Sequence, residues 1–134
     1  MHQVVVGALV REGQVLLVHR SPDRRAYPNV WDLPGGHVET GESELTALVR
    51  ELHEELGVEI APGSVSLLCR LEAGRGGEPV LLSAWLVGDW KGTPTSIARD
   101  EHDQIQWFRL EELPPLAHEL IGPALVTATQ IHRS

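Results

Sequence analysis

The chain is poor in the residues that build disulfides and basic binding faces. Of its 134 residues only one is cysteine, Cys69, so an intrachain disulfide and a cysteine-built metal site are excluded. A single cysteine fits a reducing compartment, and we expect a cytoplasmic protein. Lys91 is the only lysine and the formal net charge is −8. Because binding to a phosphate backbone needs a basic face, a nucleic-acid polymer is not the expected partner.

Long hydrophobic runs are also missing. No apolar stretch approaches the roughly 18 residues that suggest a membrane span. The opening MHQVVVGALVREG has neither the basic start nor the small-residue cleavage site of a signal peptide, so we expect no membrane association. The composition is 42% hydrophobic and 22% charged, as in globular proteins, and the length predicts a single domain over residues 1–134.

Blocks of β-branched and apolar residues predict strands on both sides of a central helix. The first four strands form two hairpins, because turn residues join them in pairs. In chain order, the elements predicted around the central helix are strands at 3–10, 15–20, 65–71 and 80–87, a polar loop at 88–103, a strand at 104–110 and a helix at 116–131. Pro123 is expected to break or restart that last helix. This order predicts an α/β fold in which a mixed sheet carries helices on both faces.

The central helix, over residues 43–56, crowds its carboxylates at one end. Its apolar residues recur at three- and four-residue steps and form one narrow stripe: Leu45, Leu48, Val49, Leu52 and Leu56. Gly57 follows as the expected C-terminal cap. Glu51, Glu54 and Glu55 lie beside the stripe in the last turns, where like charges repel and the helix dipole is already negative. Something outside the sequence should compensate them.

The helix alone leaves two interpretations of this acidic face open. It is either a solvated glutamate-rich surface or a site for a hard divalent cation such as Mg²⁺ or Mn²⁺. The upstream segment favours the metal site. LPGG (33–36) ends in two glycines that let the backbone turn and approach a ligand, and the next loop delivers Glu42 to the same helix. A solvated helix needs neither feature.

These residues carry a family resemblance. Gly36, then Glu42, then the run RELHEELGV at 50–58 resemble the Nudix box, with each defining position filled at the right spacing. The hairpins, the WDLPGG approach at 31–36, the WF strand followed by RLEELPP and the closing helix resemble the MutT-like branch over nearly the whole chain. The resemblance implies an α/β/α sandwich around a mixed sheet. It also implies hydrolysis of nucleoside diphosphates linked to another group, with Mg²⁺ or Mn²⁺ as cofactor.

The resemblance implies metal ligands in the box. By analogy with the family, Glu51, Glu54 and Glu55 hold the metals, and the backbone carbonyl of Gly36 is a further expected ligand. We choose Glu51 as the general base, shared with metal contact. The metal would neutralise charge on the diphosphate and make an attacking water more acidic.

Further acidic and basic residues are expected to support this centre. Arg50 should pair with a carboxylate of the box and hold it in place, with a weak surface ion pair as the alternative. Glu42 should orient the site or bind metal. Glu101, in the loop before QIQWF, matches where relatives supply one more acidic residue, and a solvated loop is the alternative reading there.

Substrate contacts are expected from two groups of residues. Arg20 and His37 are candidates to touch phosphate oxygens, although His37 could equally serve at the surface or in the core. Trp31 and Asp32 could line a base pocket, with plain core packing as the alternative for Trp31. His118 stands where the MutT type uses an asparagine to read the base, so the choice of oxidised guanine is in doubt.

The expected activity is hydrolysis of nucleoside triphosphates, including oxidised ones such as 8-oxo-dGTP, to a monophosphate and pyrophosphate. One alternative is hydrolysis of ADP-ribose or another nucleoside diphosphate derivative, although the chain lacks the extra N-terminal domain of many such relatives. Another is a non-catalytic nucleotide-sensing module, and a purely structural domain would leave the carboxylates unexplained. The preferred base stays open, as does the choice between monomer and homodimer.

Overall fold

The computed structural model describes residues 2–22, 28–73, 78–97 and 102–133. Two helices, α1 (Glu44–Leu56) and α2 (Ile121–Arg133), and two short 3₁₀ turns, Pro62–Ser64 and Leu110–Glu112, accompany the strands in these ranges. The strands are β1 (His2–Arg11), β2 (Gln14–Arg20), β3 (Trp31–Asp32), β4 (Gly35–His37), β5 (Glu59–Ile60), β6 (Val65–Ala73), β7 (Val80–Val87), β8 (Trp90–Lys91) and β9 (His102–Arg109).

Strand β1 is the centre of a mixed sheet with the order β3-β2-β1-β7-β6. It pairs in parallel with β7 and antiparallel with β2 and β4, while β9 pairs antiparallel with β2. The run VVVGALV suits this place, because a strand covered on both faces has no polar side to show. Both predicted hairpins, β1 with β2 and β6 with β7, are confirmed.

The sheet is packed on both faces, as predicted for an α/β/α sandwich. Successive residues of β1 point to opposite sides. Val5 and Leu9 join the cluster under α1, whereas Val6 and Ala8 join the cluster under α2. The helices contribute fully buried side chains to these clusters: Leu48, Leu52 and Leu56 from α1, and Ile121 and Leu125 from α2. Neither helix of the described ranges is long and apolar enough to cross a membrane.

Helix α1 ends at the predicted Gly57 cap and begins at Glu44, one residue after the predicted start. The Ser43 side chain accepts a hydrogen bond from the Thr46 amide at 3.1 Å and so caps the N-terminus. Gly57 adopts a left-handed conformation with φ 74°, and its amide donates to the His53 carbonyl at 2.9 Å. The Gly57 cap depends on local geometry, which is why the sequence could predict it.

Two predicted elements are wrong in detail. Helix α2 begins at Ile121, not at residue 116, and Pro123 does not break it. Proline is tolerated there because the first turn of a helix has amides without intrahelical partners. The stretch predicted as a polar loop contains β8, which pairs with β5. Trp90 of β8 is 5% exposed, with the Arg11 guanidinium 3.8 Å from its ring centroid, and this packing offsets the polar neighbours.

Replacing Gly57 by alanine tests the cap. A Cβ at this left-handed position is strained and would lie 3.1 Å from Ile97 Cδ1. We expect Gly57→Ala to lower the free energy of unfolding by about 1–2 kcal/mol, measured by urea denaturation. Gly63→Ala is the matched control, since no atom lies within 4 Å of its added Cβ. Equal stabilities for the two variants would contradict this account of the cap.

Candidate active site

Glycines at β4 let the end of the strand lie against both the sheet and helix α1. Gly36 is paired with Val5 of β1 in the register of the sheet. A Cβ added at Gly35 would overlap the Val5 backbone, and one added at Gly36 would overlap the carboxylate of Glu51. The absence of a side chain at Gly36 therefore makes the space in which the Glu51 carboxylate lies.

One arginine joins the carboxylates around this point. Arg50 Nε and Nη2 donate to the two oxygens of Glu42, each at 2.8 Å, in a bidentate pair. Its Nη1 donates to Glu51 Oε1 at 2.9 Å and to Glu54 Oε2 at 3.3 Å. Its Nη2 also donates to the His37 carbonyl at 3.0 Å. Arg50 thus ties α1 to the loop before it and to the end of β4.

These contacts shift the ionisation of both partners. The hydrogen bond from Arg50, helped by the Glu39 amide, lowers the pKa of Glu42 to about 2 from its ordinary 4.5. The bond to Glu42, reinforced by Glu51, raises the pKa of Arg50 above its already high value. The pair stays fully charged at neutral pH, so Arg50 compensates part of the negative charge that the helix crowds together.

The three glutamates predicted as metal ligands differ in exposure. The side chain of Glu51 is 13% exposed and that of Glu54 is 57% exposed, whereas Glu55 is buried at 4%. Across the described ranges, no three carboxylate, imidazole or thiol side chains are already arranged to hold a metal ion. The donor chemistry still fits a hard divalent cation, because carboxylate oxygens and the Gly36 carbonyl are the ligands such ions prefer.

Most of the residues predicted to contact substrate lie at the β2–β3 edge of the sheet. Arg20 Nη1 lies 3.7 Å from Asp32 Oδ2, and Asp32 is 5% exposed. Trp31 next to it accepts a hydrogen bond at its carbonyl from the Ala117 amide at 3.1 Å, which brings His118 to the same edge. Burial, and secondarily the charge of Arg20, lowers the pKa of His118. Its imidazole is therefore neutral near physiological pH.

A concave region adjoins His118. It has a volume of about 380 Å³ and is lined by Leu71, Leu116, Ala117, His118, Glu119 and Leu120. His37 does not belong to this group: it is exposed at the end of β4, beside the box, with its ring 6.3 Å from that of His2. Glu101 lies outside the described residues, so its predicted role stays a prediction.

Some polar contacts near the predicted site were missed. His19 Nδ1 lies 2.8 Å from Asp103 Oδ1, and the His19 ring packs edge-on against Trp31 with centroids 5.0 Å apart. Glu44, in the first turn of α1, accepts bonds from Trp85 Nε1 and Arg70 Nη2, each at 3.1 Å. The partners in each contact are distant in sequence. The alternation of side chains along a strand shows which residues share a face, and it gives only a weak sequence signal for such contacts.

Comparison with known proteins gives a consistent assignment. A model of the NUDIX domain matches residues 1–127. The chain is 38% identical over 112 residues to the CTP pyrophosphohydrolase of Escherichia coli (strain K12), covering 84% of this chain and 78% of that protein. It is 36% identical over 125 residues to the 8-oxo-dGTP diphosphatase of the same organism, covering 90% and 93% respectively.

A solved structure agrees with these relatives. The crystal structure of a MutT NUDIX hydrolase from Burkholderia pseudomallei matches with a TM-score of 0.82 at 33% identity, over 90% of this chain and 94% of that one. The fold is that of a MutT-like Nudix hydrolase domain. The chain belongs to the Nudix family, and it is a Nudix hydrolase, a class that generally uses divalent metal ions.

The Glu42–Arg50 pair predicts a pH dependence of stability. The pKa of Glu42 is lower in the folded protein than in the unfolded chain. The contribution of this carboxylate to the free energy of unfolding is therefore complete above pH 4.5 and is lost as the pH falls from 4.5 towards 2. We expect Glu42→Gln to be less stable than the wild type at pH 7, and the gap to narrow steadily over that interval. Urea unfolding in metal-free buffer measures this difference in stability between the two proteins. Glu39→Gln is the control, since that carboxylate is 68% exposed and 3.9 Å from Arg50. A gap that stays constant below pH 4.5 would refute this linkage.

Gly36 gives a separate prediction. The added Cβ of Gly36→Ala meets the far end of a flexible side chain, so the free energy of unfolding should change by less than about 1 kcal/mol. The displaced Glu51 carboxylate should nevertheless lower kcat by about 100-fold. Parallel stability and hydrolase assays separate the two effects, with Gly63→Ala as the control. A variant that keeps full turnover would show that Glu51 need not lie against Gly36.

Proposed function

We propose that the chain is a metal-dependent pyrophosphohydrolase that cleaves nucleoside triphosphates to a nucleoside monophosphate and pyrophosphate. The observation that carries the proposal is the bridge from Arg50 to Glu42, Glu51 and Glu54, at a strand end where Gly36 leaves room for a carboxylate. Two relatives support the substrate class, since one is named for CTP and the other for 8-oxo-dGTP.

The oxygen donors of the box suit Mg²⁺, with Mn²⁺ as the alternative. Glu51, Glu54 and Glu55 and the Gly36 carbonyl would hold the metal. The 3.3 Å bond from Arg50 to Glu54 is the longest of the set, and Glu54 is largely exposed, so this carboxylate can turn from Arg50 at little cost. When bound, the metal would neutralise diphosphate charge and acidify a water molecule.

The protein's own groups would orient the attack and move its proton. Glu51 is proposed as the general base, which takes a proton from the water as the water oxygen bonds to phosphorus and the anhydride P–O bond breaks. Arg50 holds Glu51 at 2.9 Å, and Glu42 holds Arg50 through the bidentate pair. Glu42 and Arg50 are thus proposed as positioning residues. Glu101 is proposed to add one more carboxylate.

The β2–β3 edge is proposed to bind the nucleoside and its nearest phosphate. The half-buried Trp31 ring offers a face for base stacking. Neutral His118 has one ring nitrogen that donates and one that accepts, so it can take over part of the task that an amide performs. Buried Asp32, whose Oδ2 lies 3.7 Å from Arg20 Nη1, adds an acceptor. Arg20 and His37 are proposed to contact phosphate oxygens.

Release of nucleoside monophosphate from a nucleotide panel tests the activity, with pyrophosphate as the second product of each triphosphate and ribose 5-phosphate as that of ADP-ribose. The panel contains CTP, dCTP, dGTP, 8-oxo-dGTP and ADP-ribose, each with Mg²⁺, with Mn²⁺ and with chelator. We expect metal-dependent pyrophosphate release from at least one triphosphate, and a loss in kcat of about 100-fold or more in Glu51→Gln, since a general base supplies that much. Glu59→Gln is the matched control, because Glu59 is an exposed carboxylate on β5 and not part of the box.

The outcomes of this panel separate the alternatives. Turnover of ADP-ribose without turnover of any triphosphate would replace the proposed substrate class. Nucleotide binding without turnover in either metal would favour the sensing module. Full activity in Glu51→Gln would remove Glu51 from the chemistry, and the other box carboxylates would then be substituted in turn.

A further inference from the structure

An irregularity in strand pairing directs a carboxylate towards the predicted base site. On β2, His19 is opposite Gln104 of β9 and Arg20 is opposite His102, so Asp103 is the extra residue of a β-bulge. Bulges turn a side chain out of its regular direction and are common beside active sites. Here the Asp103 carboxylate lies 2.8 Å from His19 Nδ1, with the His19 side chain 18% and the Asp103 side chain 47% exposed.

The His19 ring in turn borders Trp31. The two rings meet edge to face at an interplanar angle of 65° with centroids 5.0 Å apart. Phe108 contacts Trp31 in the same manner, at 4.8 Å and 73°. Such pairs have a preferred geometry, so His19 and Phe108 together fix the orientation of the indole. A bond to Asp103 sets the orientation of the His19 ring itself.

Trp31 also orders the segment that carries His118. Its carbonyl accepts the Ala117 amide at 3.1 Å, and it forms a parallel bridge with Leu116. The side chain of Trp31 thus contributes to the predicted base site, while its main chain orders the segment that presents the His118 imidazole. The order of contacts is Asp103, His19, Trp31 and then the segment 116–118.

We propose that His19 is a positioning residue for nucleoside binding and that Asp103 acts through it. This inference rests on the proposed function, in which Trp31 and His118 contact the base. His19 would hold Trp31 in its binding orientation without touching the phosphates. Loss of His19 should then weaken binding of a substrate that has a base and leave the chemical step unchanged.

Steady-state kinetics on His19→Ala, Asp103→Ala and the double variant test this inference, with two substrates compared. One is the best triphosphate of the nucleotide panel, and the other is ribose 5′-triphosphate, which lacks a base. For the first, we expect His19→Ala to raise KM about three- to tenfold, as the loss of an aromatic contact implies, with kcat nearly unchanged. For the second, KM should stay at the wild-type value. The double variant should be no worse than His19→Ala.

Conservative and control variants separate positioning from a general loss of structure. Asp103→Asn keeps an acceptor for His19 Nδ1 and should restore most of the wild-type KM. Arg109→Ala breaks an exposed 2.7 Å ion pair with Glu111 at the other end of β9 and should change neither KM. Thermal unfolding is measured for every variant. If His19→Ala does not fold, the two substrates are compared with Asp103→Ala instead, for which we expect a smaller rise in KM.

The kinetic results distinguish a failure of the positioning role of His19 from a failure of the proposed function. An equal rise of KM for both substrates, or additive effects in the double variant, would overturn the positioning role while wild-type hydrolysis leaves the proposed function standing. An unchanged KM in both single variants would also overturn the positioning role. If the wild type hydrolyses no triphosphate, the proposed function fails and the inference fails with it.

Discussion

The structure of the site depends on the guanidinium of Arg50. Without it, the last turns of α1 would hold mutually repelling carboxylates at the negative end of a helix. Arg50 meets Glu42 with two bonds of 2.8 Å, and it reaches Glu51 and Glu54 with one further nitrogen. A planar cation with several fixed donors can satisfy several carboxylates in one plane, which a lysine ammonium at this position could not do.

The sheet provides the fixed frame for this cation. Strand β1 receives α1 on one face and α2 on the other, and through Val5 it also aligns Gly36. The helix can approach β4 closely because Gly36 has no side chain, so the Glu51 carboxylate lies where a Cβ would otherwise be. The buried leucines of α1 hold the helix at that distance. A substitution in this core therefore acts on Glu51 as well as on stability.

The segment 31–36 connects two separate parts of the site, the charged cluster on α1 and the β2–β3 edge. At its end, Gly36 serves the charged cluster on α1. At its start, Trp31 and Asp32 serve the β2–β3 edge, where His118 and Arg20 also lie. A short extended segment between two fixed points keeps their separation constant. This geometry suits the proposed substrate, which presents a nucleoside at one end and a phosphate chain at the other.

The sequence by itself determined the central helix and its caps, because Ser43, Gly57 and the leucine stripe act over a few residues. It also predicted the two hairpins, the layered α/β fold and the box residues, whose spacing is local. Only the tertiary structure decided that Glu55 is buried while Glu54 is exposed, that Trp90 belongs to a strand, and that Asp103 turns towards His19. Those outcomes depend on which distant segments meet, and the contact energies that decide them exceed local preferences.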